Sequence, residues 1–311
     1  MPLDPTARAV LDILSAQGVR SFETYDVAGF RELVEAFKGL QAAPQSVASV
    51  SDYDNDGLRV RVVVPETTMP GPLPVIVYYH GGGWVGGSLD VAEEPVRAIA
   101  NAAGVIVAIP EYRKAPEHKF PAGPEDAFQQ LRWVIAHAEE FGGDPRRVGV
   151  MGDSAGATLA AVTAVRARDE EMKIALQVLE FPVVDGGKET ESWTEMAEGY
   201  MLHAAAGDWL WGHYLSSPEE VKHPYASPSH ADLRGLPPTL VVTLEFDPTR
   251  DAAEAFAAQL ADAGVSTTHV RIDGLIHASS WMSGAIPRSA EILDVASRFI
   301  RRVFDLAPLS R

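Results

Sequence analysis

Gly152-Asp153-Ser154-Ala155-Gly156 follows the apolar run 148–151 and leads into a helical pattern of small residues. In that context a G-x-S-x-G spacing marks a nucleophile elbow, where both glycines let strand and helix pass close beside the serine. A serine hydroxyl is a weak nucleophile at neutral pH. It needs a histidine to take its proton and a carboxylate to fix that histidine's tautomer. Both follow in order: Asp247 stands just past the apolar run 239–245, and His277 just past the run 267–272. His277 is the only histidine beyond His269, which falls inside a strand pattern. Asp251 is the rival carboxylate, one helical turn past Asp247, where it would complement the positive end of a helix. The expected chemistry is acyl transfer through Ser154, with His277 as base and Asp247 as its orienting acid. A plain βα turn with a serine N-cap is the structural alternative.

Attack on a carbonyl places negative charge on oxygen, and prearranged N–H groups aimed at that oxygen lower the barrier by about 3 kcal/mol each. His80-Gly81-Gly82-Gly83, directly after the apolar run 73–79, offers bare backbone for this purpose. Gly82, Gly83 and Ala155, the residue after the nucleophile, are therefore the expected oxyanion hole. His80 is expected to orient the loop rather than to carry a proton.

These groups need a frame. From residue 73 onward, Val- and Ile-rich runs at 73–79, 105–109, 148–151, 174–181, 239–245 and 267–272 alternate with helical patterns near 91–103, 124–141, 154–168, 249–263 and 288–304. That rhythm predicts an α/β fold with a mostly parallel sheet covered on both faces. Upstream, Asn55-Asp56-Gly57 and the alternation of Leu58, Val60, Val62 and Val64 predict an antiparallel hairpin at the sheet edge. Two stretches break the rhythm. Residues 1–45 hold Phe22, Phe30 and Phe37; residues 185–225 hold Trp193, Tyr200, Trp209, Trp211 and Tyr214. They are expected to form a helical cap over the carboxyl edge of the sheet, flanking core segments 46–184 and 226–311. Trp84, Trp209, Tyr200 and Phe37 are the expected substrate contacts, although the same rings would equally glue cap to core. Glu180 and Glu245 end apolar strands and are carried as candidates beside the reading that they are solvated strand ends.

Composition narrows the partners. With 26 basic against 43 acidic residues, the net charge of −17 argues against nucleic acid and anionic membranes. No cysteine is present, so disulfides, thiolate nucleophiles and Cys-ligated metals are excluded. The opening MPLDPTARAVLDIL lacks the basic start and unbroken apolar stretch of a signal peptide, and no run reaches the length of a membrane span. The expected location is the cytoplasm.

YYHGGGWVGG, EYRKAPEHKFPAGPEDA, GDSAGATLAAVTA, AEGYML, LEFDPTRD and GLIH together resemble the bacterial hormone-sensitive-lipase-like carboxylesterases of the α/β-hydrolase fold. The resemblance runs over nearly the whole chain. It implies Ser154, Asp247 and His277 as triad, Gly82, Gly83 and Ala155 as oxyanion hole, a cap from the N-terminal helices and the 185–225 insertion, short-to-medium acyl esters as substrates, no metal or organic cofactor, and a homodimer by analogy. An amidase or specialised deacetylase with the same triad, and a small-ligand sensor without turnover, are the alternatives. Three positions depart from the family's usual wording: Ala278-Ser279 after the base, Ala157 after the elbow, and Lys114 where leucine is common.

Overall fold

Asp56 and Gly57 both take positive φ, 53° and 85°, the backbone of a tight turn whose twist matches its strands. In the computed structural model that turn joins β1 (Ser49–Asn55) to β2 (Leu58–Val64), the expected antiparallel edge hairpin. The structure describes residues 2–67, 69–186 and 190–306; positions 187–189 of the insertion expected at 185–225, and the ends of the outer segments at 1 and 307–311, lie outside them. The sheet continues with β3 (Leu73–Tyr79), β4 (Ile106–Pro110), β5 (Gly143–Asp153), β6 (Gln177–Glu180), β7 (Thr239–Phe246) and β8 (Thr267–Ile276). Strand order is β1-β2-β4-β3-β5-β6-β7-β8, and every pairing from β4 to β8 is parallel.

Each face of the sheet is covered, which is why β3 is apolar at every position rather than alternating. The helices are α1 (Pro5–Ala16), α2 (Val27–Ala36), α3 (Leu89–Ala103), α4 (Ala122–His137), α5 (Ala155–Asp169), α6 (Glu191–Glu195), α7 (Ala204–Tyr214), α8 (Arg250–Asp262) and α9 (Ala290–Val303). Ile76 and Tyr78 point to the layer where Val96 and Ile99 of α3 meet Ile292 and Phe299 of α9. Val75, Val77 and Tyr79 point the other way, onto Phe128 of α4, Leu159 of α5 and Phe256 of α8. α1 starts where sequence favours it: Asp4 accepts the Thr6 and Ala7 amides, and Pro5 occupies the first turn, where no amide is needed.

Three strands differ in extent from expectation; β8 runs on to Ile276 instead of ending at 272. β5 begins at Gly143 rather than 148, because Asp144, Arg146 and Arg147 hide its start from an apolar pattern. β6 spans only Gln177–Glu180 instead of 174–181. The two stretches outside the rhythm do contain helices, α1 and α2 in the first, α6 and α7 in the second. They meet through an edge-to-face chain of rings, Phe22 to Phe30 to Trp209, with centroids 5.3 and 5.4 Å apart.

Candidate active site

Ser154 sits between the end of β5 and the start of α5 with φ 52° and ψ −122°, a strained conformation for a residue with a side chain. Close packing enforces it. A Cβ on Gly152 would lie 2.4 Å from the Gly156 backbone, and one on Gly156 would lie 2.0 Å from the Tyr79 carbonyl. The Ser154 amide donates to the Glu180 carbonyl at 2.9 Å, tying the elbow to the neighbouring strand.

The loops after β7 and β8 bring the other two groups to it. Ser154 Oγ lies 2.8 Å from His277 Nε2, and His277 Nδ1 lies 2.7 Å from Asp247 Oδ2. Asp247 is wholly buried, and its Oδ1 accepts both the amide and the hydroxyl of Thr249, each at 2.8 Å. With a carboxylate accepting from Nδ1, that nitrogen carries the proton, and Nε2 is left to accept the Ser154 hydroxyl. Asp251, the rival, is turned elsewhere: it accepts the Ser192 amide at 2.7 Å and Arg250 Nε at 2.8 Å. Past the base, Ala278 takes φ 63°, where the resembled family commonly has glycine, at a cost of about 1–2 kcal/mol. Ser279 braces the same turn by donating its hydroxyl to the Ile276 carbonyl at 2.6 Å.

Gly82 and Gly83 have φ of 109° and 62° and border the same cavity as Ser154 and His277. Among the described residues their amides have no acceptor within the chain. Ala155 opens α5, where the first amides have no intrahelical acceptor and the helix end is electropositive. Two buried groups hold this loop. His80 Nδ1 donates to the Gly81 carbonyl at 2.7 Å, its ring stacks on Tyr112, and burial pushes its pKa down to about 3, so it stays neutral. Asp153 accepts the Gly81 amide at 2.9 Å and the Tyr78 hydroxyl at 2.7 Å, both on Oδ1. Asp153 stands at a variable position of the G-x-S-x-G spacing; the signal for it in the sequence is a carboxylate just past the apolar run 148–151.

A cavity of about 690 Å³ opens above Ser154. Phe22, Phe30, Phe37 and Val34 border it from the N-terminal stretch, and Trp193, Met201, Leu202, Leu210 and Trp211 from the 190–215 region. Of the four expected substrate contacts, Trp84 and Phe37 lie on this wall; Tyr200 and Trp209 do not. The reason is helical phase: Gly207, Leu210 and Trp211 share the inward stripe of α7, whereas Trp209 faces Phe30 and His213. Tyr200 stacks on Phe246 instead, centroids 5.3 Å apart. Glu180 is fully buried, while Glu245 accepts the Gly274 amide at 2.7 Å and braces the β7–β8 edge.

A family model described as the alpha/beta hydrolase fold matches residues 76–280. The chain belongs to this alpha/beta hydrolase family. Carboxylesterase NlhH of Mycobacterium tuberculosis is 35% identical over 302 residues, covering 93% of this chain and 92% of its own. An arylesterase of Saccharolobus solfataricus is 32% identical over 285 residues, covering 89% and 92%. Among solved structures, a hyperthermophilic esterase from the archaeon Pyrobaculum calidifontis superposes with a TM-score of 0.91 at 36% identity, covering 98% of this chain and 99% of its own. The hydrolase fold and its esterase relatives agree with what the sequence motifs implied.

Proposed function

We propose that this alpha/beta hydrolase is a serine carboxylesterase for short-to-medium acyl esters, acting through an acyl-enzyme. The observation that carries the proposal is the continuous Ser154–His277–Asp247 hydrogen-bonded line at the floor of an apolar cavity. Ser154 Oγ attacks the ester carbonyl as His277 Nε2 takes its proton; Asp247 keeps Nδ1–H directed away from the serine. The Gly82, Gly83 and Ala155 amides receive the oxyanion, an assignment supported by their free donors and by the α5 end beneath them. His277 then protonates the leaving alkoxide, the alcohol departs, and a water activated by the same imidazole releases the acid. The aromatic lining favours the apolar arms of a small ester over charged substrates. Residues 1–45 and 185–225 serve as the cap over core segments 46–184 and 226–311, a division supported by their joint contribution to the cavity wall.

Among the described residues no helix is long and apolar enough to cross a membrane. The cytoplasm is the proposed setting, with which a cysteine-free chain is compatible. A p-nitrophenyl ester series from acetyl to palmitoyl tests the proposal, with Ser154→Ala as control. Expected is Ser154-dependent turnover with its optimum at short or medium chains; turnover that survives Ser154→Ala contradicts it.

A further inference from the structure

The proposed reaction makes no use of Glu180, yet this residue touches both halves of the machinery. Its carbonyl accepts the Ser154 amide. The next residue, Phe181, is held at φ 36° with its ring edge against the His277 imidazole, centroids 5.1 Å apart. Glu180 is 2% exposed and is the register partner of Asp153, 1% exposed, across the β5–β6 ladder. Two carboxyls this deep and this close do not both ionise. Asp153 already holds the Gly81 amide and the Tyr78 hydroxyl, bonds that favour its charged form. Burial, and then the Asp153 charge, push Glu180 up to about 8; burial, opposed by Tyr78 and Gly81, raises Asp153 only to about 6.

The remaining ionisable neighbours are few. Tyr78 lies on β3 and His277 beyond Phe181. Glu94 of α3 stands across a second cavity of about 660 Å³, with Ser280, Ser283 and Ser289 on its wall. Glu94 Oε1 accepts the Ser283 hydroxyl at 2.9 Å. This cavity shares no lining residue with the substrate cleft and has Glu180 on its wall.

We propose that Glu180 is a positioning residue that works as a neutral acid: uncharged, it leaves Asp153 the single charge gripping the Gly81 amide, and on ionising it loosens the oxyanion loop and opposes the oxyanion. The inference rests on the esterase reading. Its consequence is an alkaline limb that belongs to kcat rather than KM, because the loop acts on the transition state.

The test is titrimetric kinetics of a neutral short-chain ester between about pH 6 and about pH 10, on the wild type, Glu180→Gln and Glu94→Gln. Wild-type kcat is expected to fall about tenfold per pH unit above a midpoint near 8, and Glu94→Gln to fall likewise. Glu180→Gln is expected to lack the limb, whatever its height at neutral pH; an unchanged limb in that variant overturns the proposal. Infrared difference spectra of the wild type across the same range need no variant and no turnover. Loss of a buried protonated-carboxyl band with rising pH supports the proposal, and absence of that band at neutral pH overturns it. A wild type without ester turnover contradicts the proposed function instead, a failure the infrared titration tells apart from this one.

Discussion

Asp247→Asn is an isosteric change whose consequence depends on Thr249. Oδ1 of Asp247 faces two donors, the Thr249 amide and hydroxyl, each at 2.8 Å, while Oδ2 faces His277 Nδ1 at 2.7 Å. In the variant the carboxamide oxygen must stay with the two Thr249 donors, since an NH2 group there would meet both. The NH2 group then points at His277 Nδ1, which can accept only by giving up its proton. That proton moves to Nε2, so the imidazole presents a donor to Ser154 Oγ and can no longer act as its base. The expected loss is about 10⁴ in kcat, or about 5 kcal/mol of barrier, with KM little changed. Melting temperature should move little, because no hydrogen bond is lost on the Thr249 side. Adding Thr249→Val to Asp247→Asn removes one of the two donors that fix the amide, and part of the rate should return. Asp251→Asn should stay near wild type, its carboxylate being engaged with Ser192 and Arg250. Kinetics on p-nitrophenyl acetate with circular dichroism on each variant decide the matter. Asp247→Asn within tenfold of wild type, or no recovery on adding Thr249→Val, would refute the reasoning.

Three further outcomes follow from the same geometry. Glu180 is raised from 4.5 to about 8 on folding, so its stability penalty is absent below 4.5, grows as pH rises, and is complete above about 8. Glu180→Gln should therefore raise the melting temperature by several degrees more at alkaline than at acid pH, which calorimetry at the two extremes would show. Leu210→Ala opens the cavity wall beside Gly83, whose Cβ position lies 2.4 Å from a Leu210 methyl. The kcat/KM ratio of hexanoyl to acetyl ester should rise by about tenfold, measured with paired substrates. Ser279→Ala removes the hydroxyl that clips the turn after His277, and should cost about 1 kcal/mol in denaturant unfolding with a several-fold drop in kcat.

The elements that position the site were legible because each has a period or a turn of its own. Asn55-Asp56-Gly57 specifies its hairpin, and the unbroken apolar run from Leu73 to Tyr79 specifies a strand buried on both faces. The elbow was legible because Gly152 and Gly156 each answer a collision with one named neighbour. Less could be seen where a side chain's direction depends on tertiary contacts. Trp209 has the right chemistry for a cavity wall but the wrong helical phase, Tyr200 is drawn off onto Phe246, and only the packing of α7 reveals that Leu210 and Trp211 face inward. Asp153 was hidden for a related reason, and Glu180 could be named only as a candidate beside a solvated strand end. Each is an acid at a strand end, a position that usually meets water, and their pairing in the interior arises only from the β5–β6 register. The start of β5 is hidden because Arg146 and Arg147 interrupt its apolar pattern, and its ladder with β3 shifts register between Gly143 and Val148.

The central claim, that Ser154 is a nucleophile activated through His277 by Asp247, is tested most directly by covalent capture. The wild-type protein is treated with a small organophosphonate and its mass measured intact and after digestion. Stoichiometric addition at Ser154 is expected, abolished in Ser154→Ala and strongly slowed in His277→Ala. Addition at another serine, or labelling of Ser154 at an undiminished rate without His277, would contradict it.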